Sequence, residues 1–155
     1  MAFIKLTTNI NAPVEKCFDL SRSIDLHLQS MQHSNERAIA GKTAGLISLN
    51  ETVTWRARHF GIRMKMTVKV TAMEYPLCFT DQMVKGPFKL LRHIHSFSAD
   101  GKGTVMTDVF EFQSPFGILG KLADRLFLKR YMQRLLQKRN IYLKHAAEAL
   151  PRFSK

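Results

Sequence analysis

His93 and His95 stand two residues apart in a run that alternates with Leu91 and Phe97. In a strand, residues at i and i+2 share one face, so both imidazoles point the same way. The turn formers Asp100-Gly101-Lys102-Gly103 follow, and then a second alternating run, Thr104 to Gln113, carries Asp108. A tight hairpin there sets Phe97 opposite Met106, His95 opposite Asp108, and His93 opposite Phe110. A carboxylate beside an imidazole fixes its tautomer and raises its pKa. That arrangement serves acid–base catalysis, and equally serves as a satisfied polar pair inside a sheet. His93, His95 and Asp108 are therefore the catalytic candidates. Two histidines at this spacing also suit a metal, but the pattern supplies no third ligand. No metal and no other cofactor is expected.

Arg139 is the second residue that asks for chemistry. Scored at 100° per residue, Leu128, Tyr131, Met132, Leu135, Leu136, Tyr142, Leu143, Ala146 and Leu150 form one apolar stripe, and Arg139 sits in its centre. A buried guanidinium requires an anion or several acceptors. Glu51 and Asp108 are the inward carboxylates in reach. Alternatively, Arg139 holds the acidic head of a bound molecule, or snorkels out past the sheet.

These side chains need elements to hold them. Phe3 to Ile10 is rich in β-formers and reads as a strand. Asn11 is placed to cap a short helix bearing Val14, Cys17, Phe18 and Ser21 on one face. Ser23 caps a second short helix with Ile24, Leu28 and Met31 inward. A short strand is expected near Glu36–Ile39, then a run of period two from Leu49 to His59. The clearest alternation sets Ile62, Met64, Met66, Val68 and Val70 against Arg63, Lys65, Thr67, Lys69 and Thr71, a half-buried antiparallel strand. Strands at Cys78–Val84, Phe88–Ser98 and Thr104–Gln113 complete the set. The stretch Leu119 to Phe127 is helical but out of phase with the stripe that follows, which predicts a kink near Phe127. Pro151 closes the helix.

Strands grouped in sequence and helices segregated from them mean an α+β fold over residues 1–155. Strand parity turns Val53, Trp55, Ala57, His59, Met64, Met66, Val68, Met83, His93, His95, Phe97, Met106, Asp108, Phe110 and Phe112 inward. Phe116, Met132, Leu135 and Arg139 close this set from the helix side. These residues either fill an ordinary core or line a pocket that methionine thioethers adapt to a ligand's shape.

The 155 residues fit one domain, and 45% of them are hydrophobic, which excludes a disordered chain. No apolar run reaches the length of a membrane helix, and no signal peptide stands at the start. The two cysteines, Cys17 and Cys78, lack metal-ligand spacing, so reduced thiols and a cytoplasmic location are expected. Lys and Arg number 24 against 12 Asp and Glu, a net charge of +12. Parity puts Arg56, Arg58, Arg63, Lys65, Lys69 and Arg92 on the outer sheet face, and Lys121, Lys129, Arg130, Arg134 and Lys138 on the outer side of the long helix. That is two basic surfaces without the interleaved aromatics of a single-strand binder or any recognition motif. Specific nucleic-acid binding is not expected; weak contact with an anionic membrane surface is compatible with the charge.

Several segments together carry a family resemblance. They are the Ile-x-Ala-Pro segment at Ile10–Pro13, the strand and two-helix start, Glu51-Thr-Val-Thr-Trp55, Gly103-Thr104-x-x-x-Asp108, and Pro115-x-Gly117-x-Leu-Gly120 leading into the last helix. His93-x-His95-x-Phe97 and Arg139-Asn140 add to them. In order and spacing these resemble the helix-grip, or START-like (SRPBCC), superfamily, with single-domain bacterial cyclase-like or cell-division-inhibitor-like members the most similar. The resemblance implies a curved antiparallel sheet of about seven strands around a long C-terminal helix, with an apolar pocket between them. A lipid- or polyketide-like molecule would then meet Trp55, His59, Met64, Met66, Met83, Phe97, Phe110, Phe112, Phe116, Met132 and Arg139. The alternatives are a cofactor-independent cyclase or dehydratase using His93, His95 and Asp108, and a basic adaptor for anionic membrane or nucleic acid. A monomer and a homodimer both fit, since a sheet edge can pair with a second copy.

Overall fold

The computed structural model describes residues 1–149. It has the helix-grip architecture: a curved antiparallel sheet holding a long C-terminal helix. The strands are β1 (Ala2–Ile10), β2 (Arg37–Gly41), β3 (Thr52–His59), β4 (Ile62–Glu74), β5 (Cys78–Lys85), β6 (Leu90–Asp100) and β7 (Gly103–Gln113). They lie in the order β1-β7-β6-β5-β4-β3-β2. Between β1 and β2 run α1 (Val14–Ser21) and α2 (Ile24–Ser30); after β7 come α3 (Gly117–Ala123) and α4 (Lys129–Glu148). No described helix is long and apolar enough to cross a membrane.

The alternation in sequence becomes burial directly. In β7, Thr104, Met106, Asp108, Phe110 and Phe112 are buried while the residues between them are half-exposed. The hairpin register matches the expectation, with Phe97 opposite Met106, His95 opposite Asp108 and His93 opposite Phe110. The core divides along the sheet. At one end Phe18 of α1 is fully buried, edge-on to Tyr75 and Phe79 and tilted on Phe97, with Leu143 and Ala147 of α4 packed beside it. Burying a ring of this size contributes about 2–3 kcal/mol. The first turns of α4 leave that packing and span the concave face instead.

Local details depart from the sequence reading. Asn11 does not cap α1: Pro13 occupies that position without a side-chain bond, and the Asn11 N–H donates to Glu148 Oε1 at 2.8 Å. Ser23 does cap α2, accepting from the Leu26 N–H at 3.1 Å. The strand expected at Glu36–Ile39 runs over Arg37–Gly41. Leu49 to Glu51 lie outside β3, because Asn50 adopts positive φ and turns the chain. The expected break near Phe127 is a π-helical turn, Asp124–Leu128. The extra residue in such a turn shifts the helical phase, which is why the two apolar patterns disagree. Leu150 and the expected stop at Pro151 lie outside the described residues.

Candidate functional site

A cavity of about 240 Å³ lies between the sheet and the N-terminal half of α4. Its wall is apolar on most sides. Val53, Trp55, Ala57, His59, Met64, Met66, Val68 and Phe110 reach it from the sheet, and Met132, Leu135 and Arg139 from α4. Residues not foreseen complete it: Met31 and His27 near α2, Phe79 on β5, Phe88 before β6, and Tyr131 on α4. The His27 ring lies over Trp55 at 4.2 Å between centroids, and His27 Nε2 meets Glu36 Oε1 at 2.7 Å. His59 Nδ1 and the Tyr131 hydroxyl are 2.6 Å apart. Burial lowers the pKa of His59 and raises that of Tyr131.

Six residues expected inside do not line the cavity, among them Met106, which is fully buried in the cluster around Phe18. Phe97 is on the inner face, but α1 roofs that end of the sheet and seals the ring against Phe18. Phe112 is fully buried, covered edge-on by Phe88 at 5.7 Å. Met83 is half-buried and packs in the β4–β5 layer with Met66 and Val68. Phe116 is highly exposed: positive φ at this residue swings its side chain off the body ahead of α3. Asp108 is fully buried behind the two histidines instead of facing the cavity.

The polar end of the cavity is built around Asp108. Its Oδ1 accepts from His93 Nε2 at 2.8 Å and its Oδ2 accepts from Asn140 Nδ2 at 2.7 Å. Arg139 Nη1 lies 3.7 Å from Oδ1. Of the two carboxylates expected in reach of Arg139, Asp108 lies near it and Glu51 does not. Arg139 donates to the Ser21 carbonyl at 3.0 Å, to Ser21 Oγ at 2.9 Å, and to Asn140 Oδ1 at 3.1 Å; Glu51 accepts from the Ser48 N–H instead. His95 Nδ1 sits 3.1 Å from Asp108 Oδ1 but off the line a hydrogen bond needs, so it is buried without a bond. His95 Nε2 donates to Asp81 Oδ2 at 2.9 Å. The His95 ring stacks on Phe79 at 4.2 Å and lies 3.7 Å from His93.

Asp81 and Asn140 were missed as site residues. The signal for Asp81 was present, since the alternation that turns Met83 inward also turns Asp81 inward. Asn140 follows Arg139 on α4 and reaches Asp108 only because the helix crosses β7 there.

Burial and charge divide the two histidines. Burial and the charge of His95 push His93 down to about 4 despite Asp108. His95 is equally buried, but Asp108 and Asp81 outweigh that and raise its pKa. Burial would raise Asp108, yet the bond from His93 and the nearby His95 ring hold it well below the ordinary carboxylate range. Asp81 is also lowered against its burial, chiefly by His95. At neutral pH the cluster therefore holds two carboxylates and a guanidinium with His93 neutral, while His95 is held more readily protonated than a free imidazole. An ionised carboxylate only accepts, so the His93 proton is on Nε2 and its Nδ1 is a free base.

Asp81, His93 and His95 also offer ligand atoms within 4.8 Å of one another. The third metal ligand that the sequence pattern lacked is therefore present, in a two-histidine, one-carboxylate set that suits a divalent transition ion.

A family model for polyketide cyclase/dehydrase and lipid transport proteins matches residues 1–148. No curated protein matches the sequence. Among solved structures, TTHA0849 from Thermus thermophilus superposes with a TM-score of 0.74 at 17% identity, covering 96% of this chain and 100% of that one. The Zhui aromatase/cyclase from Streptomyces gives 0.75 at 10% identity, over 95% and 93% of the two chains. A START superfamily protein from Mycobacterium smegmatis gives 0.71 at 13% identity, over 94% and 97%. At these identities the superpositions speak to the fold, and they agree with the sheet and helices described above. With the family model spanning nearly the whole sequence, the chain belongs to the polyketide cyclase/dehydrase and lipid transport family.

Proposed function

We propose that this chain binds a hydrophobic, ring-containing small molecule between the sheet and α4, its polar end against Asp81, His95 and Arg139. The observation that carries this reading is the cavity itself, apolar along its length and closed at one end by a charge-compensated cluster. A core with no ligand has little reason to keep two carboxylates and a guanidinium inside, where each costs desolvation. Residues 1–155 act as one unit in this reading. The thiols of Cys17 and Cys78 are free, which suits a reducing compartment such as the cytoplasm.

Trp55 is the single tryptophan and lines the cavity, so it reports occupancy. Titration with the fluorescent naphthalene dye 1-anilinonaphthalene-8-sulfonate is expected to quench Trp55 and saturate at one dye per chain. Ala57→Leu pushes three carbons into the cavity and should weaken the dye roughly tenfold or more. Binding that is unaffected by Ala57→Leu would place the dye elsewhere and remove the reading.

One observation favours a second reading, a cyclase or dehydratase. Two adjacent histidines whose pKa values are pushed in opposite directions can pair an acid with a base. His93 Nδ1 would take a proton from the carbon next to a ketone. The electron pair moves onto the carbonyl oxygen, and the charge of His95 and Arg139 stabilises the enolate. The test is α-proton exchange of 2-tetralone in deuterated water, followed by NMR. Exchange above the buffer rate that falls about a hundredfold in His93→Gln supports it; equal rates in both proteins exclude it.

A further inference from the structure

The segment after β7 is built the wrong way round for a soluble protein. Phe116, Ile118, Leu119, Leu122, Leu126 and Phe127 are between 51% and 83% exposed. The buried side of the same segment carries Gly120 and Asp124. Gly120 lies so close to the Pro115 carbonyl that a Cβ there would come within 1.9 Å of its oxygen. Asp124 accepts from the Ser114 hydroxyl and N–H. The segment is therefore clamped to residues 114–115 by its small and polar side, and its large apolar side chains are held outward. Phe60 and Ile62, at the β3–β4 turn, extend this surface and are also exposed. The Phe60 ring contacts Phe127 at 6.0 Å and Tyr131 at 4.5 Å. An apolar patch of this extent is an interaction site or an aggregation hazard.

Charge selects the occupant. Lys121, Arg125, Lys129 and Arg130 are exposed along the segment, and Arg58 and Arg63 flank Phe60 and Ile62. Between Phe116 and Arg130 the sole acidic residue is Asp124, which is buried. A second copy of a chain carrying +12 would bring like charges together around the patch. Apolar side chains ringed by Lys and Arg instead match the acyl boundary and headgroups of an anionic bilayer. We propose that this face, α3 with the π-helical turn and the β3–β4 turn, docks on an anionic phospholipid membrane. Phe60, Leu128 and Tyr131 belong to the cavity wall as well. Docking would then set the cavity mouth on the bilayer, where an apolar ligand exchanges without crossing water. The docking itself does not depend on the cavity being filled.

The test is co-sedimentation of the full chain with vesicles of phosphatidylcholine alone and of phosphatidylcholine with about one-quarter phosphatidylserine. Ile118→Ser/Leu122→Ser removes apolar contact, and Lys121→Glu/Arg125→Glu reverses charge; all four positions are exposed, and thermal melts verify the fold. The expected result is binding to the serine-containing vesicles that falls with salt and weakens roughly tenfold or more in each double variant. No binding by the native chain, equal binding by the variants, or binding indifferent to lipid charge overturns the proposal. So does self-association in sedimentation velocity that the serine variant abolishes while vesicles stay unbound, since a second copy then covers the patch. Dye titration of the cavity in the same variants separates this outcome from failure of the binding reading.

Discussion

Asp108→Asn is expected to lower the unfolding free energy by roughly 3–5 kcal/mol at neutral pH, the usual cost of stripping one partner from a buried ion cluster. The side chain has no solvent exposure, so water cannot replace what the carboxylate supplies. Its two oxygens accept from His93 and Asn140, and Arg139 lies 3.7 Å away. An amide of the same shape turns one acceptor into a donor and sets it against an N–H. It also leaves Arg139 and His95 with Asp81 as their one remaining carboxylate in the cluster. The pKa of His95 should fall, because Asp108 is one of the two groups that raise it, and NMR titration of the imidazole reads this. Pairing the change with Arg139→Met removes the stranded guanidinium and should recover part of the loss, which a double-mutant cycle would register as coupling. Urea unfolding is the measurement. A loss under about 1 kcal/mol would mean that the cluster does not depend on this charge.

Stability should also fall by about 3 kcal/mol as pH drops from 6.5 to 4, with His93 as the main cause. In the unfolded chain His93 titrates near 6.5, whereas burial and His95 hold it near 4 in the fold. Between those values the unfolded state binds a proton that the folded state refuses, so acid favours unfolding. About two and a half pH units at 1.36 kcal/mol each sets the size. His95 has the opposite sign. Its raised pKa adds stability that is complete below 6.5 and lost as pH rises through the folded value, so it shapes the alkaline side. His59, also lowered by burial, adds to the acid limb. The depressed carboxylates Asp108 and Asp81 contribute above about pH 4 and lose that contribution as pH falls further. His93→Gln can keep the donor to Asp108 without the titration. Urea unfolding across this range should show a much shallower acid limb in the variant; an unchanged slope would place the acid sensitivity in another group.

Both expectations rest on a cluster that was partly legible before any coordinates. The alternation around Asp100–Gly103 set the hairpin register residue by residue, because a one-residue slip would turn every apolar side chain to water. Helical phase placed Arg139 inside the α4 stripe, and it is buried. The phase mismatch before Leu128 announced a break in the helix, found as the π-helical turn. Each of these signals is periodic and local, and a chain carries such signals in its own order of residues.

What parity could not supply was depth. It turned Phe97, Met106, Phe112 and Asp108 inward correctly, yet all four are sealed beneath α1, α4 or neighbouring rings rather than lining the cavity. Whether an inward residue meets a void or a neighbour depends on which element roofs that stretch of sheet. Phe116 failed differently, through a single positive φ that no apolar pattern encodes. The partners of Arg139 were equally hidden: Ser21 is 118 residues away in sequence, and Asn140 meets Asp108 only where α4 crosses β7. The residue order alone determined the strands, their register, the helical stripe and the inward set, since periodicity and turn chemistry act over a few residues. The tertiary structure decided which inward residues border empty space, which charges face each other, and which apolar side chains stay outside. Those outcomes follow from packing between segments far apart in the chain, where neighbours are set by the closure of the sheet around the helix.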